Sequence, residues 1–104
     1  MAWLWVAIAG AFEIGWALCL VASAGLSRFW PTVAMLACIG ASLGSMSIAL
    51  KELPMGTAYA VWTGIGAAGT AIVGILAFNE PATAVRLASI GLIIAGIAGL
   101  KLSS

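Results

Sequence analysis

The chain consists of four long apolar runs separated by short polar breaks. The runs cover approximately residues 3–23, 30–50, 55–78 and 83–100. Each run is close to the roughly 20 residues that an α-helix needs to cross a hydrocarbon core about 30 Å thick. Unpaired backbone groups are not tolerated in lipid, and the alternation typical of a membrane β-strand is absent. The pattern therefore predicts an all-α membrane protein with four transmembrane helices in a single domain, residues 1–104.

Composition agrees with a membrane protein and argues against several other classes. Of the 104 residues, 64% are hydrophobic and 7% are charged, and the mean hydropathy is +1.23. Soluble domains carry about 25% charged residues. The net charge of +1, with no basic cluster, gives no reason to expect nucleic-acid binding. There is no histidine and both cysteines lie in apolar runs, so we expect no metal, no cofactor, no disulfide framework and no enzymatic activity.

The first apolar run is expected to be a membrane span rather than a cleaved signal peptide. Ala22-Ser23-Ala24 resembles a cleavage site. However, no basic segment precedes the run, the run is too long, and Glu13 interrupts it.

Glu13 lies near the middle of that first span. It is the only charged side chain in residues 2–27, and ten residues of helix would place it roughly 15 Å deep. A carboxylate at that depth is costly unless it is hydrated, paired or protonated. Glu13 is therefore a candidate functional residue, and the alternative is a structural acid that stays permanently protonated.

Four further side chains are candidates to face Glu13. Trp16 follows it by three residues on the same helical face, and Tyr59 and Trp62 have the same spacing on the third span. Ser42 lies in the middle of the second span. Buried indole, phenol and hydroxyl groups need partners, and an acid among aromatic faces is suited to cations. The pattern predicts that Glu13 holds either a proton or an organic cation, although each of the four could instead be a core or lipid-facing residue.

The basic residues predict no fixed orientation in the membrane. With four spans, Lys51 and Lys101 lie on one side, and Arg28 and Arg86 lie on the other. With two basic residues on each side, the positive-inside rule gives no preferred orientation. This equal division favours dual topology, in which copies insert in both orientations. Arg86 lies one turn inside the fourth span, where its long side chain can extend to the lipid headgroups.

Small residues predict the close helix contacts. Gly91, Ala95 and Gly99 repeat every four residues on the fourth span, a pattern typical of helix association in membranes. Because four short helices can scarcely enclose a path across the membrane, we expect a dimer with this stripe at its interface. Contact within one chain is the alternative.

The third span contains a glycine-rich segment. Residues 64–69 (GIGAAG) match a nucleotide-binding pattern but lie in an apolar span. They therefore indicate a thin helix that can bend or let a neighbouring helix slide.

Three motifs together are specific. They are the mid-span acid Glu13, the segment 54–64 (PMGTAYAVWTG) and the pair Glu80-Pro81. With these motifs the chain resembles the small multidrug resistance transporters along essentially its full length. Trp16 and the segment 51–54 (KELP) are similar to the guanidinium-exporter subtype, rather than to the subtype that exports bulky quaternary ammonium drugs.

The resemblance implies a function and an assembly. In that family the acid binds substrate and proton, and two copies pack antiparallel around a shared site. It implies a proton-coupled antiporter of the bacterial inner membrane that exports guanidinium or small substituted guanidinyl cations by alternating access, as a dual-topology homodimer in lipid. The residues expected to bind substrate and proton are Glu13, Trp16, Ser42, Tyr59 and Trp62, with Gly10, Thr63 and Lys101 as secondary positions.

Two other functions stay open. A multidrug exporter of quaternary ammonium or other hydrophobic cations would use the same site, although Trp16 and the region of Lys51 argue against it. A small channel or structural membrane subunit would use Glu13 to line a pore or to hold an assembly together. Val21 stands where many family members carry a lysine, and this departure concerns loop electrostatics and substrate range.

Overall fold

Four α-helices make up the part of the chain that the structure describes. The structure is a computed structural model that describes residues 1–103, so Ser104, the last residue of the predicted domain, lies outside the described residues. The helices are α1 (Ala2–Ala22), α2 (Phe29–Ala49), α3 (Met55–Ala77) and α4 (Ala84–Ser103). Each has 20 to 23 residues and is apolar enough to cross a membrane. The predicted all-α fold with four membrane-spanning helices is confirmed, and α4 continues a few residues beyond the predicted end.

Each connection between helices contains a residue whose backbone conformation is incompatible with a helix. After α1, Ala24, Gly25 and Leu26 have φ values of 51°, 77° and 68°, in the left-handed region that commonly stops a helix. Pro54 precedes α3 in an extended conformation, and Asn79 turns the chain after α3 with φ of 56°. Connections this short make successive helices antiparallel.

The helices form a thin layer. Helix α1 packs against both α2 and α3, and α4 packs against α3. The chain extends 41 × 35 × 16 Å, so its smallest dimension is less than half of either of the others. A layer of this thickness cannot by itself enclose a path across the membrane.

The small core lies where α1, α2 and α3 meet. Many large apolar side chains, such as Leu36 and Leu76, point outward, as expected of a protein whose surroundings are lipid tails. Close contact between such helices depends on small side chains rather than on the hydrophobic effect. The buried core residues are Val6, Ala9, Met46, Ala49, Ala58 and Val61.

The glycine-rich part of α3 is the surface that contacts the middle of α1. A Cβ atom on Gly66 would overlap the Glu13 side chain, and one on Gly69 would overlap Ile14. The segment interpreted from the sequence as a thin helix therefore lets α1 and α3 approach closely at the level of Glu13.

Helix α4 contacts α3 through one face and leaves its small residues exposed. Ile97 approaches Gly64, with its Cδ1 atom 3.1 Å from the position that a Cβ would take there. For Gly91 and Gly99, no heavy atom of the described chain lies within 4 Å of that position, and Ala95 is also exposed. The stripe of Gly91, Ala95 and Gly99 is thus exposed in the described chain.

Candidate functional site

Glu13 lies partly buried on α1, on the side that meets α3. The indole Nε1–H of Trp16 donates a hydrogen bond of 2.7 Å to its Oε1 atom. This bond follows from helix geometry, because residues three apart share a face. Among the described residues no side chain donates to the second oxygen, Oε2, which can therefore accept from a ligand.

A chain of hydrogen bonds joins α3 to α2 and α2 to α1 beside Glu13. The Trp62 indole donates to Ser42 Oγ at 2.9 Å, and Ser42 Oγ–H donates to the backbone carbonyl of Ala9 at 2.8 Å. Ser42 is 1% exposed. A hydroxyl has one hydrogen to donate and two lone pairs, so Ser42 here keeps only acceptor capacity for any further partner.

Four of the five predicted site residues border one cavity. Glu13, Trp16, Ser42 and Trp62 line a space of about 200 Å³, together with apolar residues of α2. Of these, Trp16 alone bonds directly to Glu13 within the described chain, whereas Ser42 positions Trp62. The structure thus brings four of the five side chains to one cavity, and it adds how they are bonded.

Glu13 also borders a second, larger space. A cleft of about 510 Å³ runs along α3 past Thr63 and Thr70, and reaches Glu80 and Arg86 where α3 is connected to α4. The Glu13 carboxylate therefore lies where the small cavity and the large cleft meet.

Tyr59 lies at the outer edge of this arrangement. Its ring meets the Trp62 ring edge to face, with centroids 5.7 Å apart, and Tyr59 is 57% exposed. It borders neither of the two spaces next to Glu13 in the described chain. Tyr59 thus contacts the site through Trp62 rather than pointing at Glu13 as the sequence interpretation expected.

The secondary positions Gly10 and Thr63 have different surroundings. Gly10 is buried, and an added Cβ would lie 2.5 Å from Cγ2 of Ile65, so its role in this chain is close packing. Thr63 borders the larger cleft, while its hydroxyl donates to a carbonyl of its own helix.

Lys101 lies beside the N-terminal end of α1, away from the site in the middle of that helix. Its Nζ atom is 5.9 Å from the centroid of the Trp3 ring, and ten residues of helix, roughly 15 Å, separate Trp3 from Glu13. Lys101 borders a separate apolar cavity of about 210 Å³. The structure therefore does not place Lys101 with the other candidates.

The sequence interpretation missed an ion pair at the end of the cleft where α3 is connected to α4, here called the mouth of the cleft. Arg86 Nη2 donates to Glu80 Oε1 at 2.8 Å. The sequence interpretation allowed Arg86 to extend to the headgroups, whereas in the structure its side chain pairs with Glu80. The available signal was the pair of opposite charges six residues apart, one in the α3–α4 connection and one in the first turn of α4.

The site offers acceptors and aromatic faces rather than catalytic groups. Within residues 1–103 no three His, Cys, Asp or Glu side chains gather in a way that could hold a metal ion. A free carboxylate oxygen, a hydroxyl lone pair and two indole rings together favour a cation that donates hydrogen bonds.

Comparison with known proteins gives consistent matches. A family model described as Small Multidrug Resistance protein matches residues 1–93. A protein named guanidinium exporter from Yersinia pseudotuberculosis is 53% identical over 104 residues, which is 100% of both chains. Proteins with the same name from Citrobacter freundii and Salmonella typhimurium are 50% identical over 100% of this chain and 99% of theirs.

Proposed function

Because this chain belongs to the small multidrug resistance family, we propose that it exports guanidinium-type cations in exchange for protons at Glu13. The family and the four membrane-spanning helices make it a multi-pass protein of the bacterial inner membrane. The observation that carries the proposal is the Glu13 carboxylate, which is bonded on one oxygen by Trp16 and open on the other to a cleft.

Guanidinium matches the hydrogen-bonding groups around Glu13. The ion is planar, carries only N–H donors and can pair with a carboxylate through parallel hydrogen bonds. Glu13 Oε2 and the remaining lone pair of Ser42 are acceptors, and the indole rings of Trp16 and Trp62 offer faces that attract cations. A small substrate needs no further groups, and substituents can extend into the larger cleft.

Exchange with protons follows from the use of one acid for both ligands. A bare carboxylate at this depth is costly, so it is neutralised either by a proton or by a cation. Binding of one ligand then requires release of the other. If the site opens alternately to the two sides of the membrane, this competition couples export of the cation to entry of protons.

An antiparallel homodimer would complete the site. A single chain forms a layer with one extent of only 16 Å, so the clefts beside Glu13 are open. A second copy in the inverted orientation would cover them and bring the two Glu13 carboxylates toward each other.

Transport by purified protein in lipid vesicles tests this proposal. An inward guanidinium gradient should drive proton efflux, recorded as a change in internal pH. Glu13→Gln should abolish the coupled flux, because the amide can neither carry the proton nor pair with the cation. Glu52→Gln is the matched control, since Glu52 is an exposed acid outside the helices, and it should transport normally.

Three results would contradict the proposal. Guanidinium-driven proton flux that persists in Glu13→Gln would show that a residue other than Glu13 carries the exchange. Guanidinium flux without proton counterflow would favour a channel. Stronger proton coupling with tetramethylammonium than with guanidinium would favour a quaternary ammonium exporter, because that ion has no N–H donors for Glu13 and Ser42.

A further inference from the structure

The ion pair of Glu80 and Arg86 lies at the mouth of the cleft that leads to Glu13. Both residues border the same space of about 510 Å³ as the central acid. Arg86 Nη2 and Glu80 Oε1 are 2.8 Å apart, and the two side chains are 37% and 46% exposed. The mouth thus carries a carboxylate that already accepts a hydrogen bond from a guanidinium group, that of the arginine.

From this juxtaposition we propose that Glu80 is a second binding site for guanidinium-type cations at the entrance of the cleft. Arg86 occupies this site as an internal substitute until the substrate displaces it. The inference rests on the proposed function, since it assumes that guanidinium passes along the cleft to Glu13.

The position of Glu80 does not depend on Arg86. Asn79 adopts φ of 56°, and this turn brings Glu80 back over α3, where its backbone N–H donates to the carbonyl of Gly74 at 3.1 Å. A Cβ on Gly74 would overlap the Glu80 carboxylate. The carboxylate therefore lies against a glycine of α3, held there by the local backbone.

Arg86, in contrast, can readily be displaced from Glu80. It lies in the first turn of α4, where the helix dipole disfavours a cation, and its long side chain can reach the lipid headgroups. Ion pairs with this degree of exposure contribute little to stability, so a substrate of the same chemistry can compete for Glu80. Displacement replaces one guanidinium by another and leaves the charge at the entrance unchanged.

The two members of the pair should have opposite effects on transport. Glu80→Gln removes the acceptor, and it should lower kcat/KM for guanidinium by roughly threefold, the scale of an exposed ion pair. Arg86→Gln removes the competitor, and it should raise kcat/KM by a similar factor. The double variant should behave like Glu80→Gln. A merely structural ion pair predicts instead that both single variants lower transport together.

Two charge-matched controls are available outside the cleft. Arg28→Gln removes a cation from the same predicted side of the membrane as Arg86, and Glu52→Gln removes an exposed acid. Both should keep the parent kcat/KM. If Arg28→Gln raised it as much as Arg86→Gln, general surface charge would explain the effect, and the proposed site would be wrong.

A binding measurement separates this inference from the proposed function. The chain has two arginines, Arg28 and Arg86, so ¹⁵N-arginine labelling gives two side-chain Nε signals. In the Glu13→Gln background, guanidinium chloride should shift the Arg86 signal and not the Arg28 signal, while sodium chloride at equal concentration should shift neither. Glu80→Gln should remove the response.

The outcomes are distinguishable. A parent protein that does not exchange guanidinium for protons overturns the proposed function, whatever Arg86 does. A parent that transports guanidinium, with an Arg86 signal that does not respond to it, overturns the entrance site alone.

Discussion

At the scale of single residues, the hydrogen bond from Trp16 fixes the orientation of the central acid. Its indole is the one side-chain donor to Glu13 within the described chain, at 2.7 Å. The bond holds Oε1 in place and leaves Oε2 open to a ligand. Under the proposed function, Trp16 therefore orients the carboxylate that guanidinium would bind.

Replacement of Trp16 by phenylalanine keeps an aromatic face and removes the N–H donor. We expect guanidinium affinity at neutral pH to fall about tenfold, because a hydrogen bond to a charged group is worth roughly 1.5–3 kcal/mol. Part of the loss should be recovered at higher pH, where fewer protons compete. Calorimetric titrations at several pH values measure both effects.

The control for this variant is Trp30→Phe, at a tryptophan that is 75% exposed at the start of α2. It should bind guanidinium like the parent. Equal affinities for Trp16→Phe and the parent at every pH would show that the indole N–H has no role in the competition.

Contacts that follow the helical period could be predicted from the sequence, whereas those that depend on tertiary structure could not. The pairs Glu13–Trp16 and Tyr59–Trp62 are three residues apart, and both are in contact. Ser42 was predicted near the site, but its bond to the carbonyl of Ala9 depends on how α1 and α2 are aligned. No sequence period specifies that alignment.

At the scale of the helices, the contact of α1 with α3 controls the surroundings of Glu13. Gly66 leaves just enough room for the Glu13 side chain, since a Cβ there would overlap it. The apolar pattern predicted all four helices because length and hydropathy suffice for that purpose. It could not predict this contact, because every helix in lipid is apolar on several faces.

Substitution of Gly66 by alanine should separate α1 from α3 or shift Glu13. Overfilling a packed contact costs about 1–3 kcal/mol, so we expect a lower unfolding temperature in detergent and weaker guanidinium binding. Gly56→Ala is the matched control, since it is on the same helix with no described heavy atom within 4 Å of the new Cβ. Equal stability and binding in the two variants would show that the close contact is not needed.

At the scale of the whole molecule, the exposed stripe of α4 is the feature that the single chain leaves without a contact. Among the described residues of α4, Ile90 is the one that is buried. Gly91 and Gly99 face open space, on the side of α4 roughly opposite Ile97. Exposed small residues with this spacing are typical of helix association in membranes, which supports the proposed dimer.

Gly99→Leu should therefore prevent dimer formation while leaving the fold of the chain intact. A bulky side chain would keep two α4 helices apart, and apart from the local backbone and chain neighbours no described heavy atom lies within 4 Å of the added Cβ. Gly96→Leu is the control, because it makes the same change on the same helix at an exposed position off the stripe. Chemical cross-linking in vesicles should show a dimer for the parent and Gly96→Leu only.

If Gly99→Leu still cross-links as a dimer and transports guanidinium, the interface lies elsewhere. The short sequence motif predicted the stripe as a helix contact between two copies. The motif could not specify the orientation of the partner copy, since small residues allow both parallel and antiparallel contact; the feature that favours dual topology is the equal division of basic residues between the two sides.

The most direct measurement of the central exchange is proton release on binding of guanidinium. Guanidinium chloride is titrated into weakly buffered, detergent-solubilised protein at a series of starting pH values, and the pH change is recorded. The parent should release protons in proportion to the guanidinium bound, and Glu13→Gln should release none. Guanidinium binding without proton release, or equal release from Glu13→Gln, would contradict the assignment of both ligands to this carboxylate.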